Sequence, residues 1–263
     1  MPRVFEFDRA IVRAPARSVV DGLRADASAV PDYDGVVREH AAYVAALRAA
    51  GVTVEVLQPL EAFPDSVFVE DPALVFRDGA VLLRPGAPSR LGEREAMRPV
   101  LARHFETVLE LGDGEYADGG DVLMTRDAAM IGLSARTNET GAEALAAALA
   151  RLGRRARTVE TPKSVLHFKT ACSLLDERTV LATWAMAESG VFAGFEIVVV
   201  PDDEAAAANA LRVNGVVLIG DRFPRTRDLL AKRGYAVVPL PVTEIGKLDA
   251  GLSCMSLRWK RGT

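Results

Sequence analysis

One short pattern recurs along the chain, and the recurrence limits the folds open to it. Residues 73–76 lead through Arg77-Asp78-Gly79 to 80–83, and residues 121–125 lead through Arg126-Asp127 to 128–132. Residues 171–175 lead through Asp176-Glu177-Arg178 to 179–182, and 210–213 through Asn214-Gly215 to 216–220. Each unit is two apolar runs around a polar turn, which predicts a hairpin. Asp-Gly and Asn-Gly tolerate the left-handed backbone of tight hairpin turns. At least three of the four units continue alike, first with a small loop carrying an arginine (Ser89-Arg90, Ala135-Arg136, Pro224-Arg225). A helix follows, clearest over 140–151 with Leu145, Ala148 and Leu149 on one face. Another helix runs over 225–232 and is closed by Gly234. One more strand ends the module, as at 107–110 and 235–239.

The fifth copy is split between the chain ends. Residues 254–259 give one strand and 10–13 its partner, while the helix at 34–50 and the strand at 53–56 complete the unit. Joining both ends in one blade closes a ring and leaves no bare sheet edge. The alternative is an ordinary open α/β sheet, and the regular repeat favours the ring. In a ring, strand ends converge on one central channel, so residues distant in sequence can share a site.

The 263 residues are 49% hydrophobic and 26% charged, enough for one sizeable core, and we read 1–263 as a single domain. A net charge of −4 without single-sign runs argues against nucleic acid or an acidic membrane as partner. The segment from Met1 to Asp8 lacks the apolar stretch of a signal peptide, and no apolar run is long enough to span a bilayer. Two cysteines, Cys172 and Cys254, form no disulfide framework, which points to reduced thiols in a cytoplasm. Three histidines and two cysteines lack metal-ligand spacing, and no phosphate-binding glycine loop is present.

Cys254 lies among small residues, Gly251-Leu252-Ser253-Cys254-Met255-Ser256, at the expected start of a strand. Such neighbours present a sulfur rather than cover it, although a free cysteine is more often a small buried apolar residue. The stretch Phe63-Pro64-Asp65-Ser66-Val67-Phe68-Val69-Glu70-Asp71 holds three carboxylates within seven positions. Read as a strand, it ends on Glu70 and Asp71 pointing to opposite faces, able to hold a cation in a closed pocket; a solvated loop is the alternative. Asp118-Gly119-Gly120-Asp121 lets backbone approach a ligand closely between two acids, or is a plain glycine turn. His167 sits in Val165-Leu166-His167-Phe168-Lys169-Thr170, a strand by its apolar content, whereas His40 and His104 read as superficial helical residues. A histidine there can act as acid and base near neutral pH, or be a hydrogen-bonded core residue. Arg90 and Arg136 can clamp a carboxylate by paired hydrogen bonds, or be solvated. A cysteine, a histidine and several acids together suit nucleophilic attack on a cation such as a guanidinium.

These motifs, with Ser134-Ala135-Arg136-Thr137-Asn138 and Ser253-Cys254-Met255-Ser256-Leu257-Arg258, resemble those of the dimethylarginine dimethylaminohydrolases. The likeness runs in order from Ala14-Pro15-Ala16-Arg17 to Trp259. It implies a five-bladed α/β propeller of the guanidine-modifying superfamily. By position it implies Cys254 as nucleophile, His167 as catalytic histidine and Asp118 as the acid that orients His167 and contacts the guanidinium. Asp65 and Asp71 fall on the guanidinium-binding carboxylates, with Glu70 as a supporting acid. Arg90 and Arg136 fall on positions that hold the substrate α-carboxylate, and Leu23 on the loop that covers the site. The implied reaction turns Nω,Nω-dimethyl-L-arginine or its monomethyl form into L-citrulline and the amine, through a covalent cysteine adduct. It needs no metal or organic cofactor. A homodimer is left open, and Cys172 reads as a structural thiol. Two other readings remain: an arginine deiminase acting on unmethylated arginine, and a binding protein for arginine analogues without catalysis.

Overall fold

The computed structural model describes residues 3–163 and 165–261; Met1 and Pro2, at the head of the N-terminal segment read above, lie outside it. Among the described residues, fifteen strands form five sheets of three strands each. In chain order, β1 (Arg9–Arg13) and β2 (Thr53–Leu57) belong to the blade shared by the chain ends. β3 (Ala73–Phe76), β4 (Gly79–Leu82) and β5 (Val108–Glu110) form the next. β6 (Val122–Met124), β7 (Ala129–Leu133) and β8 (Ala156–Glu160) follow, then β9 (Cys172–Leu174), β10 (Thr179–Ala182) and β11 (Glu196–Val199). β12 (Leu211–Val213), β13 (Val216–Gly220) and β14 (Ala236–Leu240) make the last complete unit, and β15 (Leu257–Trp259) returns to β1.

Every sheet has the same plan. The first strand pairs antiparallel with the second, which pairs parallel with the third. In the split blade, β15 plays the first strand, pairing Arg9 with Trp259 and Ile11 with Leu257, and β2 runs parallel to β1. The ring is thus closed by the two ends of the chain, as the repeat predicts, and the five blades form an α/β propeller. Middle strands are covered on both faces, which explains their unbroken apolar runs: β4 and β10 are buried throughout.

The parallel crossovers carry the helices α1 (Tyr33–Ala49), α2 (Glu93–His104), α3 (Glu139–Arg151), α4 (Trp184–Glu188) and α5 (Pro224–Lys232); a short α6 (Thr243–Gly246) follows β14. Asp32 caps α1 by accepting from the Gly35 N–H at 2.7 Å, and Asn138 caps α3 through the Gly141 N–H at 2.7 Å. Val36, His40, Tyr43, Val44 and Leu47 form the buried face of α1, the three-to-four spacing of an amphipathic helix. His40 is therefore a core residue, not a superficial one, and burial lowers its pKa to about 4. No helix among the described residues is long and apolar enough to cross a membrane.

The first strand of every blade is preceded by a short 3-10 turn: Pro64–Val67, Gly119–Asp121, Phe168–Thr170, Asp202–Ala208 and Leu252–Met255. Three strand expectations fail here. The 63–71 stretch is this turn followed by an irregular segment, and His167 caps a 3-10 turn ahead of β9. Cys254 likewise lies in the turn before β15, not in the strand. Pro64 sets the first of these turns, and polar side chains that take up free backbone groups keep these segments out of the ladders.

Candidate active site

Asp65 and Cys254 lie within two of these turns and Asp118 and His167 cap two more, while Leu23, Asp71, Arg90 and Arg136 come from neighbouring segments. Leu23, Asp65, Asp71, Arg90, Arg136, His167 and Cys254 line one pocket, with apolar walls that include Phe68, Leu166 and Leu248. Asp118 stands fully buried behind His167, and its Oδ2 lies 2.9 Å from His167 Nε2. Its Oδ1 accepts the Gly86 N–H at 2.7 Å, and its own N–H donates to Thr137 Oγ1 at 3.1 Å. The two glycines after it are required by close approach. A Cβ on Gly119 would lie 2.0 Å from the Glu70 carbonyl oxygen, and one on Gly120 would lie 2.9 Å from the His167 ring.

Asp121, the second acid of that turn, braces the site without entering the pocket. It accepts from Ser134 Oγ at 2.6 Å, Thr137 Oγ1 at 2.7 Å and the Phe168 N–H at 2.8 Å. One carboxylate therefore fixes both the Arg136 loop and the backbone next to His167. Burial raises the Asp121 pKa.

Burial by itself would lower the His167 pKa. The charge of Asp71, the hydrogen bond to Asp118 and the charge of Asp121 outweigh it and lift the value to about 9. The imidazole is thus a cation at neutral pH. Asp71, Asp118 and His167 bring donor atoms within 4.8 Å of one another, and the imidazolium itself supplies positive charge between the carboxylates. Asp71 also takes the Gly120 N–H at 3.1 Å and pairs with Arg90. Burial disfavours its ionised form, but Arg90 and His167 hold its carboxyl below the usual range. Asp65 shifts the other way: burial raises its pKa, partly offset by Arg90. Its Oδ1 accepts the N–H of Leu23 at 2.9 Å, which ties the exposed Leu23 segment to the pocket.

Cys254 is 9% exposed, so the small neighbours do not leave its sulfur open to bulk water. Burial, then the charges of Glu70 and Asp71, push its pKa up to about 11. These causes favour a protonated thiol at Cys254, in the pocket that His167 also lines. Glu70 and Asp71 do face opposite ways, although not from a strand. Asp71 faces the pocket. Glu70 lies behind Cys254, where its N–H donates to the Cys254 carbonyl at 3.1 Å. Its carboxylate meets Lys169 at 2.6 Å and Arg258 at 3.1 Å.

The two arginines differ. Arg90, expected as a substrate clamp, is 4% exposed and engaged on most of its donors. Nε and Nη2 bind Glu93 at 2.9 and 2.7 Å, Nη2 also reaches the carbonyls of Asp65 and Phe68, and Nη1 pairs with Asp71. It anchors the acid-bearing segment and has one Nη1 hydrogen to spare. Arg136 Nη1 is buried without a hydrogen-bond partner among the described residues, 3.9 Å from Asp118.

Sequence reasoning missed Glu93, Lys169 and Asn209. Asn209 Nδ2 lies 3.8 Å from Cys254 Sγ, and its Oδ1 accepts the Ser253 N–H at 3.3 Å. Its packing also explains Gly251, where a Cβ would come within 2.3 Å of the Asn209 amide. The repeat carried a signal for it: Asn209 stands just before the first strand of its blade, as His167 and Cys254 do.

A family model described as N,N dimethylarginine dimethylhydrolase, eukaryotic, matches residues 26–186. The N(G),N(G)-dimethylarginine dimethylaminohydrolase of Pseudomonas aeruginosa is 40% identical over 254 residues, covering 96% of this chain and 100% of that protein. The chain belongs to the dimethylarginine dimethylaminohydrolase family. The crystal structure of the P. aeruginosa enzyme as a cysteine-to-serine variant with citrulline superposes with a TM-score of 0.93, at 40% identity, over 97% of this chain and 100% of that one. A histidine-to-glycine dimethylarginine dimethylaminohydrolase carrying an adduct with S-methyl-L-thiocitrulline matches equally, with a TM-score of 0.93 and 40% identity over 96% of this chain and 99% of that one.

Proposed function

We propose that this chain, as a single catalytic domain, hydrolyses Nω,Nω-dimethyl-L-arginine and Nω-methyl-L-arginine to L-citrulline and the corresponding amine. The observation that carries the reading is a thiol, Cys254, and an imidazolium, His167, lining one acid-walled pocket. The relative with bound citrulline and the relative with a thiocitrulline adduct support the product and the covalent route.

Asp65 and Asp71 bind the planar guanidinium, with Asp118 contacting it and orienting His167. Arg136, with the spare donor of Arg90, takes the α-carboxylate, and Leu23 covers the entrance. Glu70 supports the nucleophile from behind. A bound guanidinium brings positive charge to a thiol held protonated by burial and by Glu70 and Asp71; the thiol proton passes to bulk water, since His167 already carries one, and the thiolate forms on binding. The sulfur attacks the guanidinium carbon, and His167 gives its proton to the departing dimethylamine, since an amide anion is too poor a leaving group. A thiouronium remains on Cys254. The now neutral His167 takes a proton from water as it attacks, citrulline departs, and the sulfur is released. No cofactor enters these steps. Phe68, Leu166 and Leu248 give the pocket apolar walls that N-methyl groups can meet.

We place the protein in the cytoplasm, where both thiols stay reduced, with no nucleic-acid or membrane partner. Its assembly, homodimer or monomer, is read directly by light scattering. The test of function is turnover of dimethylarginine, monomethylarginine and arginine, with dimethylamine, methylamine, ammonia and citrulline all quantified. The expected result is citrulline with dimethylamine or methylamine, little ammonia from arginine, and no turnover by Cys254→Ser. Preferential release of ammonia from arginine would make the chain a deiminase, and full activity in Cys254→Ser would remove the nucleophile assignment.

A further inference from the structure

The channel does not end at the active site. Behind Glu70 it opens into a second chamber of about 260 Å³, bounded by the first strands of all five blades and by Arg3–Phe7. The Glu70–Lys169–Arg258 cluster is the partition, with Cys254 on one side and the chamber on the other. The chamber interior is mainly apolar: Leu74, Leu123, Met124, Leu174 and Leu211 face it. Its charge is one-sided. Seven lining residues are Lys or Arg, and two are acids, Glu6 and Glu70. Both acids are already paired, Glu6 with Lys260 at 3.3 Å and Glu70 with the partition cations.

Several polar groups at the chamber are unspent. Arg3, Arg77 and Arg212 make no salt bridge among the described residues, although Asp176 acts through space on Arg212 and Arg77 on Asp78. Arg212 is held between the rings of Phe5 and Tyr235, 5.3 and 5.7 Å from their centroids, and only its Nε is used, donating to the Asn214 carbonyl at 2.9 Å. That fixes the guanidinium plane and leaves both Nη groups for a ligand. The buried lining residues add Ser173 Oγ and Arg258 Nε, neither with a partner among the described residues. A protein that needed only a filled core would leave neither a cavity of this size nor an excess of cations, several without a salt bridge, around it.

We propose that this rear chamber is a binding site for a small apolar monocarboxylate. The carboxylate pairs with Arg212 at the mouth, and an aryl-alkyl or short alkyl body lies against Leu74, Met124, Leu174 and Leu211. The site is separate from the methylarginine pocket and does not depend on the reaction assigned to it. The volume suits about a dozen heavy atoms, the low end of small-molecule pockets.

The test uses 4-phenylbutyrate, 4-phenylbutylamine and 4-phenylbutanol, which share a body and differ in charge. Titrations are made on protein whose Cys254 is carboxamidomethylated, so that the front pocket is occupied. Emission of Trp259, which lines the chamber, is followed in a Trp184→Phe background beside calorimetry. The carboxylate should bind saturably, with the alcohol weaker and the amine weakest. Arg212→Gln should weaken the carboxylate at least tenfold while leaving the alcohol unchanged. Met124→Trp, which fills the chamber from a half-buried position, should abolish all three; should that variant not fold, Arg212→Gln decides alone. Absence of saturable binding by phenylbutyrate, equal binding of amine and carboxylate, or an Arg212→Gln protein that binds phenylbutyrate undiminished would each overturn the proposal.

Discussion

At the scale of single residues, the site is a set of opposed protonation preferences. The His167 pKa is raised to about 9 and that of Cys254 to about 11, so little thiolate is present at neutral pH without a bound cation. Alkylation of Cys254 by iodoacetamide in the empty protein should climb about tenfold per pH unit up to pH 9, because each unit adds tenfold thiolate below the pKa. A plateau near pH 7 would mean that the thiolate already exists as a resting ion pair with His167. Asn209 is the other residue-scale claim. Losing its donor at the sulfur in Asn209→Ala should lower kcat by about three- to tenfold with KM little changed, since a neutral hydrogen bond contributes about 0.5–1.5 kcal/mol. Asn209→Asp, which adds a negative charge there, should also slow alkylation of the empty enzyme; an unchanged alkylation rate would reduce Asn209 to packing. The motif residues were legible because an acid, a histidine and a cysteine are rare in apolar company. Asn209 and Glu93 were not, because an amide and a helix-start glutamate look ordinary until a fold places them against a sulfur and a guanidinium. The structural pairings of Arg90 were hidden for a related reason: nothing in its sequence neighbours says that Glu93 and Asp71 engage most of its donors.

At the scale of elements, the strands and helices of the repeat were legible because period-two and period-3.6 patterns report burial directly. The turns before the first strands were not. Their apolar residues, Val67, Phe68 and Val69, are buried by the surrounding channel rather than by a ladder, and so imitate a strand. These turns hold the geometry through tight backbone packing. Gly119→Ala places a methyl group into the Glu70 carbonyl, at 2.0 Å before any adjustment. It should destabilise the protein by about 1–3 kcal/mol and cut turnover further by shifting Asp118 and the Glu70 segment. Chemical denaturation and steady-state kinetics measure both, and a fully stable, fully active Gly119→Ala would show that the two turns move independently.

At the scale of the whole molecule, ring closure joins sequence ends to function. β15 pairs with β1, and the turn before β15 carries Cys254, the proposed nucleophile. Truncation after Ser256 removes that ladder, exposes the edge of β1 and frees the Cys254 turn. The expected outcome is loss of activity with concentration-dependent aggregation, followed by light scattering; a monomeric, active truncated protein would argue against closure by the terminal strand. The ring itself was legible from five copies of one module, with the last divided between the termini, whereas the rear chamber was not, because no sequence pattern records an unfilled axis. The account as a whole rests on a covalent bond between Cys254 and the substrate carbon. Acid-quenched reactions with dimethylarginine, digested and analysed by mass spectrometry, test this bond most directly. The predicted result is an adduct of substrate less dimethylamine on the peptide containing Cys254, absent from Cys254→Ser. Turnover with no adduct at any quench time, or an adduct on Cys172 instead, would contradict it.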